Sequence, residues 1–97
     1  MLTSKQRSYL RSLANTLPAI FQIGKNGIDE NVIRQFQEAL EARELVKAGV
    51  LKNSFYTARE AVEELAGAVG AEVVAVLGNK FILYKESKNN KVLQLPQ

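Results

Sequence analysis

Ala19-Ile20-Phe21-Gln22-Ile23-Gly24-Lys25-Asn26-Gly27-Ile28-Asp29 is the stretch that decides the fold. Ala19 to Ile23 follows Pro18 and reads as a short strand, because β-branched and aromatic side chains fit a pleated, half-buried surface. Gly24 and Gly27 then break the pattern, and Asp29 is a good N-cap for the apolar period that follows. A strand that turns directly into a helix is half of a β-α-β crossover, so the chain reads as α/β. The two glycines free the backbone of Gly24-Lys25-Asn26-Gly27 to adopt positive φ and to approach a ligand with no Cβ in the way. Exposed N–H groups, the start of a helix and the charge of Lys25 together suit an anion. A plain strand-to-helix turn is the other reading, since Asp29 and Glu30 are placed to satisfy the helix start themselves.

Downstream of the loop, Val32, Ile33, Phe36, Ala39 and Leu40 share one face of a helix of about four turns. Leu45 to Leu51 reads as a second strand, with Val46, Ala48 and Val50 on one side and Lys47 and Gly49 on the other. Thr57-Ala58-Arg59-Glu60 is a capping box that opens a helix burying Ala58, Ala61, Val62, Leu65 and Val69, and Gly70 suits its end. Glu72 to Leu77 and Phe81 to Lys85 form a hairpin around Gly78-Asn79, a pair that fits a type II′ turn.

Upstream, Thr3-Ser4-Lys5-Gln6 is another capping box, and Leu10, Leu13, Ala14 and Leu17 make a buried stripe up to the boundary set by Pro18. The expected order is α-β-α-β-α-β-β: three helices on a four-stranded mixed sheet in one domain spanning 1–97. From about residue 87 the chain turns polar, and a basic, loosely held tail is expected.

Composition narrows function by removing chemistry. The 97 residues include no cysteine and no histidine, so thiolate metal sites and the commonest general base are both absent. The clustered Glu60, Glu63 and Glu64 read as the outer face of a helix, so no enzyme and no cofactor is expected. No apolar run approaches the length of a bilayer span, and a cytoplasmic monomer with no membrane partner is expected. The net charge of +3 is modest, but its distribution is uneven: no acid precedes Asp29, while Lys5, Arg7, Arg11 and Lys25 do. Lys47, Lys52, Lys80 and Lys85 extend this basic surface if their side chains share the loop's side. A GxxG loop of this kind clamps the backbone of single-stranded nucleic acid in KH domains.

Five blocks carry a more specific signal: Thr3-Ser4-Lys5-Gln6-Arg7, Ile23-Gly24-Lys25-Asn26-Gly27, Glu44-Leu45-Val46-Lys47, Val50-Leu51-Lys52-Asn53, and Gly78-Asn79-Lys80-Phe81 with Leu83-Tyr84. In this order, from Leu2 to Tyr84, they resemble the CRM domain, the chloroplast RNA splicing and ribosome maturation family, in its single-domain bacterial YhbY form. The resemblance implies a fold similar to the C-terminal domain of translation initiation factor three. It also implies RNA as partner, ribosomal RNA in large-subunit precursors above all, with Gly24, Lys25, Asn26 and Gly27 as the GxxG loop. The runner-up is a protein-interaction adaptor or translation regulator working through the acidic helix faces, which also suit basic ribosomal proteins.

Overall fold

The computed structural model describes residues 2–96. The elements run α1 (Ser4–Ala14), β1 (Phe21–Ile23), α2 (Glu30–Arg43), β2 (Leu45–Val50), α3 (Ala58–Val69), β3 (Glu72–Leu77) and β4 (Lys80–Tyr84). The expected α/β order is therefore present, with three helices on one mixed sheet. Its strands lie in the order β1-β2-β4-β3, β1 parallel to β2 and the other two pairings antiparallel. The crossovers β1-α2-β2 and β2-α3-β3 advance in the same direction along the sheet, so crossovers of one hand put α2 and α3 on the same face. Helix α1 takes the other face, packed on β2, β3 and β4.

Two cores follow from this layering. Between the sheet and α2 and α3, Phe36 packs against Phe21 at 4.7 Å and Phe81 at 6.2 Å between ring centroids, among Ile23, Leu40, Val46, Val62, Leu65 and Leu83. On the other face, Leu10 and Ala14 of α1 meet Leu45, Ile82, Tyr84 and Val74. Strand β3 serves both cores through a bulge. Val73 is opposite Leu83 and Ala75 opposite Ile82, which leaves Val74 as the additional residue and turns both Val74 and Ala75 toward α1.

Two boundaries differ from the expectation by more than one residue. Helix α1 ends at Ala14 rather than Leu17, with the last residues drawn into a tight turn in which Leu17 N–H donates to the Ala14 carbonyl at 3.0 Å. Proline constrains the residue before it, and here the departure from helix begins three residues sooner. Strand β1 is correspondingly short, although Ile20 N–H already donates to the Lys47 carbonyl.

The larger correction concerns the segment after Glu86, expected to be loosely held. It has no helix or strand, yet it is tied to the end of α2. The Glu44 carboxylate, 1% exposed, accepts from the N–H groups of Ser87 (2.7 Å), Val92 (2.7 Å) and Leu93 (2.9 Å). Glu41 accepts from Ser87 Oγ and from the N–H groups of Lys88 and Asn89. Leu93 and Leu95 then pack against the α1-side core. Glu44 does this from φ 65, a left-handed conformation that costs a Cβ-bearing residue about 1–2 kcal/mol. Its own N–H still closes α2 onto Leu40, and its carbonyl receives Lys85 N–H.

Burial raises the Glu44 pKa, but the three N–H donors outweigh it and the net shift is downward; Glu41, held by Lys88 N–H first and then Ser87 and Asn89, is also lowered. Both groups bind protons more weakly folded than unfolded, so their stabilisation is complete above the unfolded value of about 4.3 and is lost as pH falls through the lowered folded values. Glu44→Gln should cost about 2 kcal/mol at neutral pH, because an amide puts a donor against backbone donors. Denaturant titrations should show a weaker acid dependence in the variant below about pH 4.5, and hydrogen exchange should accelerate at Val92 and Leu93.

Candidate nucleic-acid interface

The end of the sheet where β1 and β2 finish and β3 turns into β4 gathers three loops. Residues 24–27 follow β1, residues 51–57 follow β2, and Gly78-Asn79 joins the hairpin with Gly78 at φ 62. They are fastened to one another by Leu51 N–H on the Ile23 carbonyl at 2.9 Å and Val50 N–H on the Asn79 carbonyl at 2.8 Å. The Asn79 side chain returns a bond to the Val50 carbonyl.

Gly24-Lys25-Asn26-Gly27 is a closed turn, with Gly27 N–H donating to the Gly24 carbonyl at 3.1 Å. The N–H groups of Lys25 and Asn26 have no hydrogen-bond partner among the described residues, and both residues are exposed. Only one of the two glycines has positive φ. Gly27 lies at φ 72 over the Tyr56 ring, where an added Cβ would come within 3.1 Å; Gly24 has negative φ and room for one. The start of α2 is not free for an anion: the Asp29 carboxylate accepts from Val32 N–H at 2.9 Å and caps the helix itself. Any anion bound here is held by the turn's own N–H groups and by neighbouring cations.

The expected cations separate into three groups. Lys25, Lys52 and Lys80 stand at the loop end of the sheet. Lys25 is in the turn, Lys52 follows Leu51, and Lys80 opens β4 opposite Gly49. A Cβ on Gly49 would come within 2.8 Å of Gln22 Oε1 and 3.3 Å of the Lys80 Cδ, so this glycine lets both side chains lie across the strand. Lys47 and Lys85 are engaged elsewhere, donating to the last carbonyls of helices: Lys47 Nζ to Ala14 (3.4 Å) and Lys85 Nζ to Val69 (2.8 Å). A cation there complements the helix dipole.

Lys5, Arg7 and Arg11 belong to α1, on the opposite face of the sheet from α2 and α3. Arg7 donates to the Val73 carbonyl, at the end of β3 roughly 13 Å from the hairpin turn at ~3.3 Å per residue. Arg7 is therefore committed far from the loops, whereas Lys80, which alternates with Ile82 along β4 and lies across Gly49, is on the same face of the sheet as α1. Among the described residues the one ion pair is Lys91 with Glu86, so Lys25, Lys52 and Lys80 have no carboxylate partner.

Tyr56 and Phe55 belong to the same end and are used differently. Tyr56 packs beneath Gly27 and its hydroxyl donates to the Glu64 carboxylate at 3.1 Å, a bond that raises the phenol pKa. Phe55 is 91% exposed. Together with Lys25, Asn26, Gly27, Ile28 and Glu60 they line a groove of about 400 Å³. Its pairing of two distant loops was not visible in local sequence pattern.

The CRS1 / YhbY (CRM) domain matches residues 2–85. The chain is 48% identical over 96 residues to the "Probable RNA-binding protein YqeI" of Bacillus subtilis (strain 168), covering 99% of this chain and 100% of that one. It is 30% identical to an "RNA-binding protein" of Haemophilus influenzae, covering 99% and 96% respectively. Among solved structures, the solution structure of the hypothetical protein SAV1595 from Staphylococcus aureus superposes with a TM-score of 0.72 at 48% identity, over 99% of this chain and 100% of that one. With the family's domain matched over residues 2–85 and a relative this similar from end to end, the chain belongs to the CRS1/YhbY (CRM) domain family.

Proposed function

We propose that this protein binds RNA at the loop end of its sheet, with a phosphate on the Gly24–Gly27 turn and neighbouring phosphates on Lys25, Lys52 and Lys80. The observation that carries the reading is that three cations without carboxylate partners and two N–H groups without acceptors belong to the loops and strand starts at one end of the fold. Such an arrangement favours a polyanion through charge and directed donors without reading base identity. The names of the relatives support RNA as the polyanion. The RNA we propose is ribosomal, in precursors of the large subunit, where a small protein of this kind assists assembly, with basic ribosomal proteins as neighbours. Crosslinking in cells tests this: reads concentrated on large-subunit precursors support it, and reads on messenger RNA overturn it in favour of translational control.

The lysines separate binding from folding. Lys25→Ala, Lys52→Ala and Lys80→Ala combined should reduce the steepness of log affinity against log salt by about 2, at ~0.7 per phosphate contact on a single strand. The melting temperature should stay nearly constant. Lys85→Ala should do the reverse, costing about 0.5–1.5 kcal/mol of stability while the salt slope holds. Fluorescence anisotropy with a labelled RNA, repeated at rising salt, measures the first, and denaturant unfolding the second.

The glycines test the backbone contact. Gly27→Ala should lose about 1 kcal/mol or more, from its positive φ and the Tyr56 ring beneath it. Gly24→Ala should fold at least as well as the parent and even gain about 0.4–1 kcal/mol, because the native conformation accepts a Cβ. If phosphate approaches over this turn, Gly24→Ala should still weaken RNA binding by about fivefold, near 1 kcal/mol. Affinity equal to the parent's would leave the turn as scaffold and the lysines as the contact.

A further inference from the structure

We infer that Phe55 is a stacking platform for an unpaired base of the strand whose phosphates lie on the Gly24–Gly27 turn. The inference rests on the RNA reading above and adds to it the part of the RNA that is not phosphate. Phe55 is 91% exposed, whereas burying such a ring is ordinarily worth about 1.5–3 kcal/mol to a fold.

Its neighbours are fixed while its ring is not covered. Ser54 N–H donates to the Leu51 carbonyl, Ser54 Oγ accepts from Tyr56 N–H at 3.1 Å, and Tyr56 is held between Gly27 and Glu64. Phe55 is thus presented on a tethered loop, so less ordering entropy is lost when something stacks on it.

The groove beside it selects which part of a nucleotide enters. Lys25 and Asn26 of the turn line it together with Glu60, one of whose oxygens already accepts from Thr57 N–H. A carboxylate there repels a phosphate and leaves an acceptor for a base N–H, whether amino or ring imino, so charge places the phosphate at the turn and the base toward Phe55 and Glu60. At about 400 Å³ the groove falls within the ~300–1,000 Å³ of small-ligand sites. A phenyl ring offers a π-face and no hydrogen bond, so this contact should tolerate any base but require that it be unpaired.

The test compares a labelled oligouridylate with a blunt RNA duplex of equal length, for the parent, Phe55→Ala, Phe55→Leu, Phe55→Trp and Lys25→Ala. Stacking predicts that Phe55→Ala and Phe55→Leu weaken oligouridylate binding about 5- to 100-fold with an unchanged salt slope, that Phe55→Trp retains it, and that duplex binding is unaffected. Melting temperatures should match the parent's. Recovery by Leu as well as Trp would show an apolar packing role and overturn the proposal, as would equal losses on duplex and single strand. Parent-like binding by Phe55→Ala alongside weakened binding by Lys25→Ala would overturn the stacking role and leave the RNA reading standing. Failure of the parent itself to bind either RNA would overturn both.

Discussion

The buried carboxylate of Glu44 is the contact on which the architecture closes. One residue ends α2, opens β2 and anchors a segment more than forty positions away, and it does so from a backbone conformation that disfavours it. The strain is offset because three backbone N–H groups converge on a charge that has left water, and charge-assisted bonds in such a setting are stronger than neutral ones. Without them, Leu93 and Leu95 would have no fixed path back to α1, and the second core would lie open along one side. Leu13, Leu17, Pro18, Ile20 and Leu93 border a cleft of about 420 Å³ at that margin, which shows how thin the covering is.

What could be read from sequence follows the range of the interaction. Capping boxes at Thr3 and Thr57, the apolar stripes of the three helices and the Gly78-Asn79 hairpin are local, and the structure has each of them. The bulge at Val74 is a register event between two strands, invisible in a run that alternates poorly. Glu44 is not distinguished from other acids by its local sequence, because its partners lie beyond the last strand. The lysines were harder still. Lys47, Lys80 and Lys85 are equally basic in sequence, and what distinguishes them is whether a helix carbonyl lies within reach of the ammonium group.

The same physics explains why the candidate interface sits at one end only. At the other end, Lys85 is committed to a helix terminus and Glu41 and Glu44 to the returning tail. At the loop end, the turns satisfy their own closing bonds and still leave donors pointing outward, with Gly27 stacked on Tyr56 to keep the turn in place. The loops there are held by hydrogen bonds to one another and by Tyr56 beneath Gly27, and Lys25, Lys52 and Lys80 have no carboxylate partner among the described residues.

The layering also dictates an order of events during synthesis. Helix α1 is made before α2 and α3, yet its apolar stripe rests on Leu45, Val74, Ile82 and Tyr84, with Leu93 and Leu95 at its flank, so almost all of its partners are made later. Its capping box supplies local structure early, yet eleven residues alone are marginal as a helix in water. Until the hairpin emerges, α1 must wait as an exposed amphipathic segment, and the β1-α2-β2 unit has one naked sheet face. Helix α1 can therefore seat on its face of the sheet only after the hairpin has been made.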